Sequence, residues 1–376
     1  MSNEREKPAT LRVLRASPRV TPLIGGQEIH VAELSGSLAG LGVEQTLLFA
    51  EGAPDIQGVE MAKLPVPRAP GNIVRDSLFG VHLAAFRPVG GFHVVHTHGD
   101  APVARGGAIA ARRLRAVHVH TFHAELLLQG IRASILRRIL PKSSWYLAVS
   151  GRVATSLARA GANPDRIFVR TSGVRTDFFR PCAAARRPDI VVGGRLIPGK
   201  RILETVQSWA GADTGDSRLL VFGSGPQAAA LRDVAQQAGN VVWLGELQVS
   251  ALSAVLTGAA VGVVMGHLPS TRSSNEGTPT LALEMLASGC YPVVGPETGE
   301  APRIVRGLRF GEVSDDVPTP AKVASLAVRW SGAGMDSERS RVRTLTESRF
   351  SWGAVAAEIK GFYERLLIPN GPTGAL

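Results

Sequence analysis

The chain has 376 residues, room for two domains of ordinary size, and its 44% hydrophobic content with 42 Gly and 24 Pro excludes collagen-like and low-complexity classes. No apolar run approaches the roughly 18–20 residues of a membrane span. The start MSNEREKPATLRVLRA lacks a secretory core, and Cys182 and Cys290 make neither a disulfide framework nor a cysteine metal cluster, so a cytoplasmic protein is expected. The net charge of +11 is uneven: residues 1–187 carry 25 Lys+Arg against 13 Asp+Glu, the remainder 17 against 18. The first half therefore has either a solvated basic surface or a face for something anionic, such as a membrane surface or a phosphorylated substrate. Nucleic acid is not expected, because aromatics are 5% and no recognition motif is present.

Along the chain, strand, turn and helix repeat, which predicts parallel sheets covered by helices. LRVLRA (11–16) is a first strand. Gly25-Gly26 follow it and precede a helix with apolar positions at Ile29, Leu34, Leu38 and Leu41, and VEQTLLFA (43–50) is the next strand. FHVVHTHG (92–99), AVHVHTFH (116–123) and WYLAVS (145–150) are short buried strands ending in polar clusters, and RIFVRTSGVRTDFFRP (166–181) closes this half. CAAARRP (182–188) looks like a linker. DIVVGGRL, RLLVFGSGP, NVVWLGEL, AVGVVMG and YPVVG continue the strand series, with helical stretches such as PQAAALRDVAQQAG between them. An amphipathic helix, FSWGAVAAEIKGFYERLL, and a loose tail end the chain. Two similar α/β domains facing each other across a cleft are expected, with ligands at the carboxyl ends of the strands.

Several clusters sit where chemistry is expected. Gly25-Gly26 serve either as a tight turn or as a close backbone approach to a phosphate at a helix N-terminus; the spacing is not that of a dinucleotide fingerprint. Gly223, in GSGP, has the same two readings. In GGRLIPGK (193–200), Arg195 and Lys200 are either solvated loop charges or two cations clamping a diphosphate. NEGTPTLALE (275–284) sets Glu276 ahead of a helix and Glu284 two turns inside it. An acidic group near a helix start and Pro279 in the first turn are ordinary helix chemistry, which leaves Glu284 unexplained. His93, His96, His98, His118, His120 and His123 cluster at strand ends. His96/His98 and His118/His120 alternate along strands, but no carboxylate is an obvious third ligand, although Asp100 and Glu125 are near. No metal is expected, and His123, at the end of its strand, is the one placed to face a ligand.

In chain order, GGQEIHVAELSGSLAGLG, TFH, AVS, SGVRTDFFRP, GGRLIPGK, FGSGP, VVWLGEL and EGTPTLALEMLASGCYPVV resemble the retaining glycosyltransferases of family 4 over about residues 11–366. The resemblance implies a GT-B fold, two Rossmann-like domains facing across a cleft. Residues 1–181 would hold the acceptor, 182–350 the nucleotide-sugar donor, and 351–376 would return a C-terminal helix to the N-terminal domain. It gives the E-x7-E pair roles: Glu276 touches donor-sugar hydroxyls and Glu284 accepts from the nucleotide ribose. Gly277, Thr278, Pro279 and Thr280 face diphosphate and sugar, with Pro279 offering no N–H. Gly25, Gly26 and Gly223 join the donor-binding set. Arg195 and Lys200 would stabilise the departing diphosphate without a metal or other cofactor, and His123 would hydrogen-bond the reacting sugar.

The sequence departs from the family pattern at Ser172 and Arg175 of SGVR, at Arg201 in place of the frequent Gly, and in a longer loop, GHLPSTRSSN (266–275), which is a candidate lid. The implied function is transfer of a hexose-type sugar from a nucleoside diphosphate to an acceptor hydroxyl, small-molecule or lipid-linked, as in bacterial glycan or antibiotic biosynthesis. Weak peripheral contact with an anionic membrane through the basic half is an open reading. The rival readings are a nucleotide-sugar epimerase of the same architecture, which would need acid/base carboxylates in the cleft, and a non-catalytic sugar-nucleotide-binding module.

Overall fold

The computed structural model describes residues 10–23, 25–67, 71–126, 128, 130–181, 186–266 and 279–368. The chain forms two compact units, residues 1–172 with 352–376, and residues 173–351. The first unit runs β1 (Arg12–Arg19), α1 (Gly26–Gly40), β2 (Glu44–Glu51), β3 (Val59–Lys63), α2 (Asn72–Ala85), β4 (Val94–His98) and α3 (Ala101–Leu114). It continues with β5 (Val117–Phe122), α4 (Gly130–Ile139), β6 (Trp145–Ala148), α5 (Gly151–Arg159) and β7 (Ile167–Val169). Among the described residues these strands make one parallel sheet in the order β3-β2-β1-β4-β5-β6-β7. All of β4 is buried, as a strand covered by helices on both faces requires.

The second unit runs β8 (Arg187–Arg195), α6 (Ile202–Trp209), β9 (Leu219–Ser224), α7 (Ala228–Gln237), β10 (Val241–Gly245), α8 (Val249–Gly258) and β11 (Ala259–Val264). It is completed by α9 (Thr280–Ser288), β12 (Tyr291–Val294), α10 (Ala301–Leu308), β13 (Glu312–Val313), α11 (Pro320–Ser331) and α12 (Asp336–Phe350). Its parallel sheet has the order β10-β9-β8-β11-β12-β13 among the described residues. In each sheet the winding reverses beside the first strand, between β1 and β4 and between β8 and β11. Open parallel sheets bind ligands at the carboxyl ends of the strands flanking such a reversal.

The last helix, α13 (Trp352–Leu367), belongs to the first unit. Its Trp352, Val355, Ile359, Phe362 and Tyr363 are buried in one cluster with Leu34 and Leu38 of α1 and Leu147 of β6, so the chain end completes the core begun by β1. The apolar pattern of α1 needs one correction. Leu34 and Leu38 are buried, but Ile29 and Leu41 are exposed. The inward face instead runs through His30, Val31, Leu34 and Leu38, the spacing of a 3.6-residue period. The reading of 182–188 as a linker also changes. Arg186 is 7% exposed and donates to the carbonyls of Leu256 at 3.1 Å and of Ser288, and Arg187 already begins β8. Residues 182–185 lie outside the described residues.

One close contact seats α9. A Cβ on Gly262 of β11 would stand 2.2 Å from Met285 Cε, so glycine there lets α9 lie against the sheet. Gly289, at φ 68, ends the helix in the left-handed conformation.

Candidate active site

In the second unit a cavity of about 150 Å³ opens at the β8/β11 reversal. Its walls are Val192 to Arg195 from β8, Lys200 and Ile202 beyond it, Val263 and Val264 from β11 with Met265 just after it, and Pro279 to Leu281 at the start of α9. Four residues singled out from the sequence, Arg195, Lys200, Pro279 and Thr280, thus line one space. Arg195 is the exposed last residue of β8, while Lys200 ends a short 3-10 turn whose N–H donates to Ile197 O at 3.0 Å. Helix α9 points its N-terminus into the same cavity, and first-turn amides together with the helix dipole favour an anion there. Two cations and a helix start around a small cavity can bind a diphosphate and stabilise charge on its oxygens as a bond to it breaks.

Gly223 is not part of that wall, but it has a structural reason. It stands at φ 128, and a Cβ on it would lie 1.9 Å from Gly194 O, so β9 passes too close to the cavity wall for any side chain. Arg201 takes the left-handed φ of 52, which explains why glycine suits this position elsewhere. Here the guanidinium is 7% exposed and held by Glu204 at 2.8 Å and by Asp316, so ion pairing offsets the backbone strain.

Glu284 sits one turn into α9 with Thr280 hydrogen-bonded to its carboxylate. Burial raises its pKa from 4.5 to about 7, and the Thr280 hydroxyl opposes that rise. Glu276, Gly277 and Thr278, with the candidate lid from residue 267 onward, lie outside the described residues.

The first unit holds the remaining candidates. Gly25 is the N-cap of α1 in extended conformation and Gly26 its first residue. The carboxylate facing Gly25 is the chain's own: Glu28, 5% exposed, lies where a Cβ on Gly25 would be and pairs with Arg19 at 3.3 Å. His123 follows β5, half-buried, and burial holds its pKa down at about 3, so it is neutral at physiological pH.

Hydrogen-bond partners assign the other histidines. His120 Nε2 donates to Gly99 O at 3.0 Å, so its Nδ1 accepts from Thr97 Oγ1 at 2.6 Å. Thr97 Oγ1 in turn accepts from His118 Nε2 at 3.0 Å, and His118 Nδ1 accepts from Ser144 at 2.6 Å. These two are core residues with both nitrogens used. His30, which the sequence reading passed over, comes close to His98 and His123: one ligand-type nitrogen from each lies within 4.8 Å of the others. Such a set invites a metal, but Arg15 Nη1 donates to His98 Nε2 at 3.0 Å. A guanidinium only donates, so His98 carries its proton on Nδ1, the nitrogen 3.2 Å from His123 Nε2, and has no lone pair there for a metal. His30 keeps Nδ1 2.9 Å from Ser172, one of the departures from the family pattern, and its Nε2 is buried without a partner among the described residues.

Two doubly wound parallel units, the second with a basic cavity at its winding reversal, are the GT-B architecture. The model for Glycosyltransferase Family 4 matches residues 24–178 and that for Glycosyl transferases group 1 matches residues 187–325, and the chain belongs to glycosyltransferase family 4. It is 26% identical to D-inositol 3-phosphate glycosyltransferase of Acidothermus cellulolyticus, over 91% of this chain and 86% of that protein. It is 27% identical to a GDP-mannose-dependent alpha-(1-6)-phosphatidylinositol monomannoside mannosyltransferase of Mycobacterium tuberculosis, over 67% and 69%. Sucrose-phosphate synthase from Thermosynechococcus elongatus superposes with a TM-score of 0.76 over 95% of this chain and 99% of that one, at 18% identity, a likeness of fold.

Proposed function

We propose that this glycosyltransferase moves a hexose-type sugar from a nucleoside-diphosphate donor to an acceptor hydroxyl with retention of anomeric configuration. The observation that carries the reading is the cavity that joins Arg195 and Lys200 to the start of α9. Arg195 and Lys200 neutralise the diphosphate as the bond from the sugar's anomeric carbon to the phosphate oxygen breaks, the role a divalent ion has in other transferases. The acceptor oxygen forms the new bond on the same face, and its proton goes to the departing phosphate. Glu276, Gly277, Thr278, Pro279 and Thr280 hold the sugar and diphosphate. Glu284 accepts from the ribose, while Gly25, Gly26 and His123 contribute from the acceptor-binding unit.

Both relatives described above are named for acceptors with a phosphorylated inositol, one small and one lipid-linked. The excess of basic residues in the first half suits the same class. Phosphorylated cyclitols therefore lead the acceptor panel, and a weak contact of the basic half with an anionic membrane surface would serve a lipid-linked one. No helix among the described residues is long and apolar enough to cross a membrane.

Calorimetric titration of UDP and GDP into wild type, Arg195→Ala and Lys200→Ala tests the donor site. Saturable binding of at least one nucleotide, weakened in both variants, supports it. Equal affinity in all three proteins removes the diphosphate clamp.

A further inference from the structure

We infer that Arg15 is a positioning residue that fixes, through His98, which nitrogen of His123 carries a proton. Arg15 lies on β1 and is fully buried, and among the described residues its hydrogen-bond partners are Gln45, His96, His98 and Tyr363, none of them a carboxylate. An unpaired guanidinium in a core costs far more than an apolar side chain of equal volume, so stability alone does not account for it. Its donors meet neutral acceptors instead: Gln45 Oε1 at 3.3 Å, His96 Nδ1 at 3.3 Å, His98 Nε2 at 3.0 Å and Tyr363 Oη at 3.5 Å. Gln45 Nε2 donates to Ser35 O at 2.7 Å, which turns the amide oxygen toward Arg15.

Because arginine cannot accept, each partner presents a lone pair. His96 takes its proton on Nε2, which donates to Thr121 at 2.7 Å, and the Tyr363 hydroxyl donates to His96 Nδ1 at 2.5 Å. His98 takes its proton on Nδ1 and donates it to His123 Nε2 at 3.2 Å. The nearly parallel rings, 26° apart with centroids at 5.5 Å, meet nitrogen to nitrogen rather than face to face. His123 is then left with a proton on Nδ1 only, on the half-buried end of the chain. One donated bond at Arg15 thus sets the direction of the His98–His123 bond and leaves His123 with an Nδ1–H to donate. On the proposed function, it donates to a hydroxyl of the reacting sugar.

The experiment uses the full chain labelled with ¹⁵N-histidine and long-range ¹H–¹⁵N correlation spectra, with His123→Gln supplying the assignment. Wild type is expected to show His123 as a single tautomer protonated at Nδ1. Arg15→Met should convert it to an averaged mixture and lower kcat by roughly 10-fold, with the donor KM within about twofold, as loss of one oriented hydrogen bond predicts. His98→Gln keeps the direction, since its oxygen accepts from Arg15 and its amide donates to His123; it should retain the single tautomer and most of kcat, and His98→Met should lose both. His123 protonated at Nε2 in wild type, or a pure Nδ1 tautomer surviving in both Arg15→Met and His98→Met, overturns the inference. The wild-type spectrum decides even where a core variant fails to fold. The tautomer is read without turnover, so failure of the proposed function would leave this test standing.

Discussion

Replacing Glu284 by glutamine is expected to make the protein more stable and worse at binding its donor. A carboxyl whose pKa is raised from 4.5 to about 7 in the folded chain reflects a burial cost of about 3 kcal/mol, at about 1.4 kcal/mol for each tenfold change in proton affinity. The side chain keeps partial exposure, so about 2 to 3 kcal/mol is the working figure. Between pH 4.5 and 7 the folded chain holds a proton that the unfolded chain has released. Stability from this group is therefore complete below pH 4.5 and is lost as pH rises through about 7. Glutamine matches the neutral acid in shape and has no charge to bury. In urea unfolding of the ligand-free protein, Glu284→Gln should exceed wild type by about 2 to 3 kcal/mol at pH 8, and the gap should close at pH 4.5. A wild-type-to-variant difference that is the same at both pH values refutes the buried-charge reasoning. Donor affinity should move the other way. In the proposed site, ribose hydroxyls donating to the carboxylate would favour its charged form, so nucleotide binding to wild type should tighten from pH 6 to 8, and the glutamine variant should show no such rise.

Lys200→Ala and Glu276→Gln should each lower turnover about 100-fold or more at saturating donor, the usual loss for one charge-stabilising group, with far-UV circular dichroism unchanged. Near-normal rates in both would remove these residues from the reacting centre. Turnover should persist in excess EDTA if, as proposed, Arg195 and Lys200 take the charge-neutralising role; complete loss restored by a divalent ion would contradict that. Co-sedimentation should show weak, salt-sensitive binding to anionic over neutral vesicles at low salt. Arg137 and Arg138 are exposed on α4 while Leu136, Ile139 and Leu140 pack inward, and each basic residue near the surface adds about 1 kcal/mol. No preference for anionic vesicles would leave a small soluble acceptor as the better choice.

The repeat of strand, glycine turn and helix is legible in the sequence because parallel strands buried on both faces read as short apolar runs, as in AAVGVV of β11. The cavity was legible for a related reason: GGRLIPGK and the start of TLALEMLAS both follow strands that border the winding reversal. What was not legible depended on long-range partners. Nothing local distinguishes Arg15 in LRVLRA from a surface arginine. Its burial follows from Tyr363, which arrives 348 residues later on α13. His30 is readable from its place on the Leu34/Leu38 face of α1, one position beyond the exposed Ile29. The histidine pairs invited a metal because spacing records which side chains share a face and not which nitrogens are already donated or accepted. Arg186 looked like part of a linker because its neighbours are alanines, yet it satisfies carbonyl groups at the ends of α8 and α9 that would otherwise be buried without donors.

The central claim is sugar transfer from a nucleoside-diphosphate donor, and the most direct measurement follows both products in one reaction. Wild-type protein is incubated with a panel of UDP- and GDP-sugars and phosphorylated cyclitol acceptors, with release of nucleoside diphosphate measured and the glycoside examined by NMR. The account predicts release that depends on the acceptor, lowered about 100-fold or more by Lys200→Ala, with a product whose anomeric configuration matches the donor's. Conversion of the donor to an isomer without acceptor, or a glycoside of inverted configuration, would contradict it.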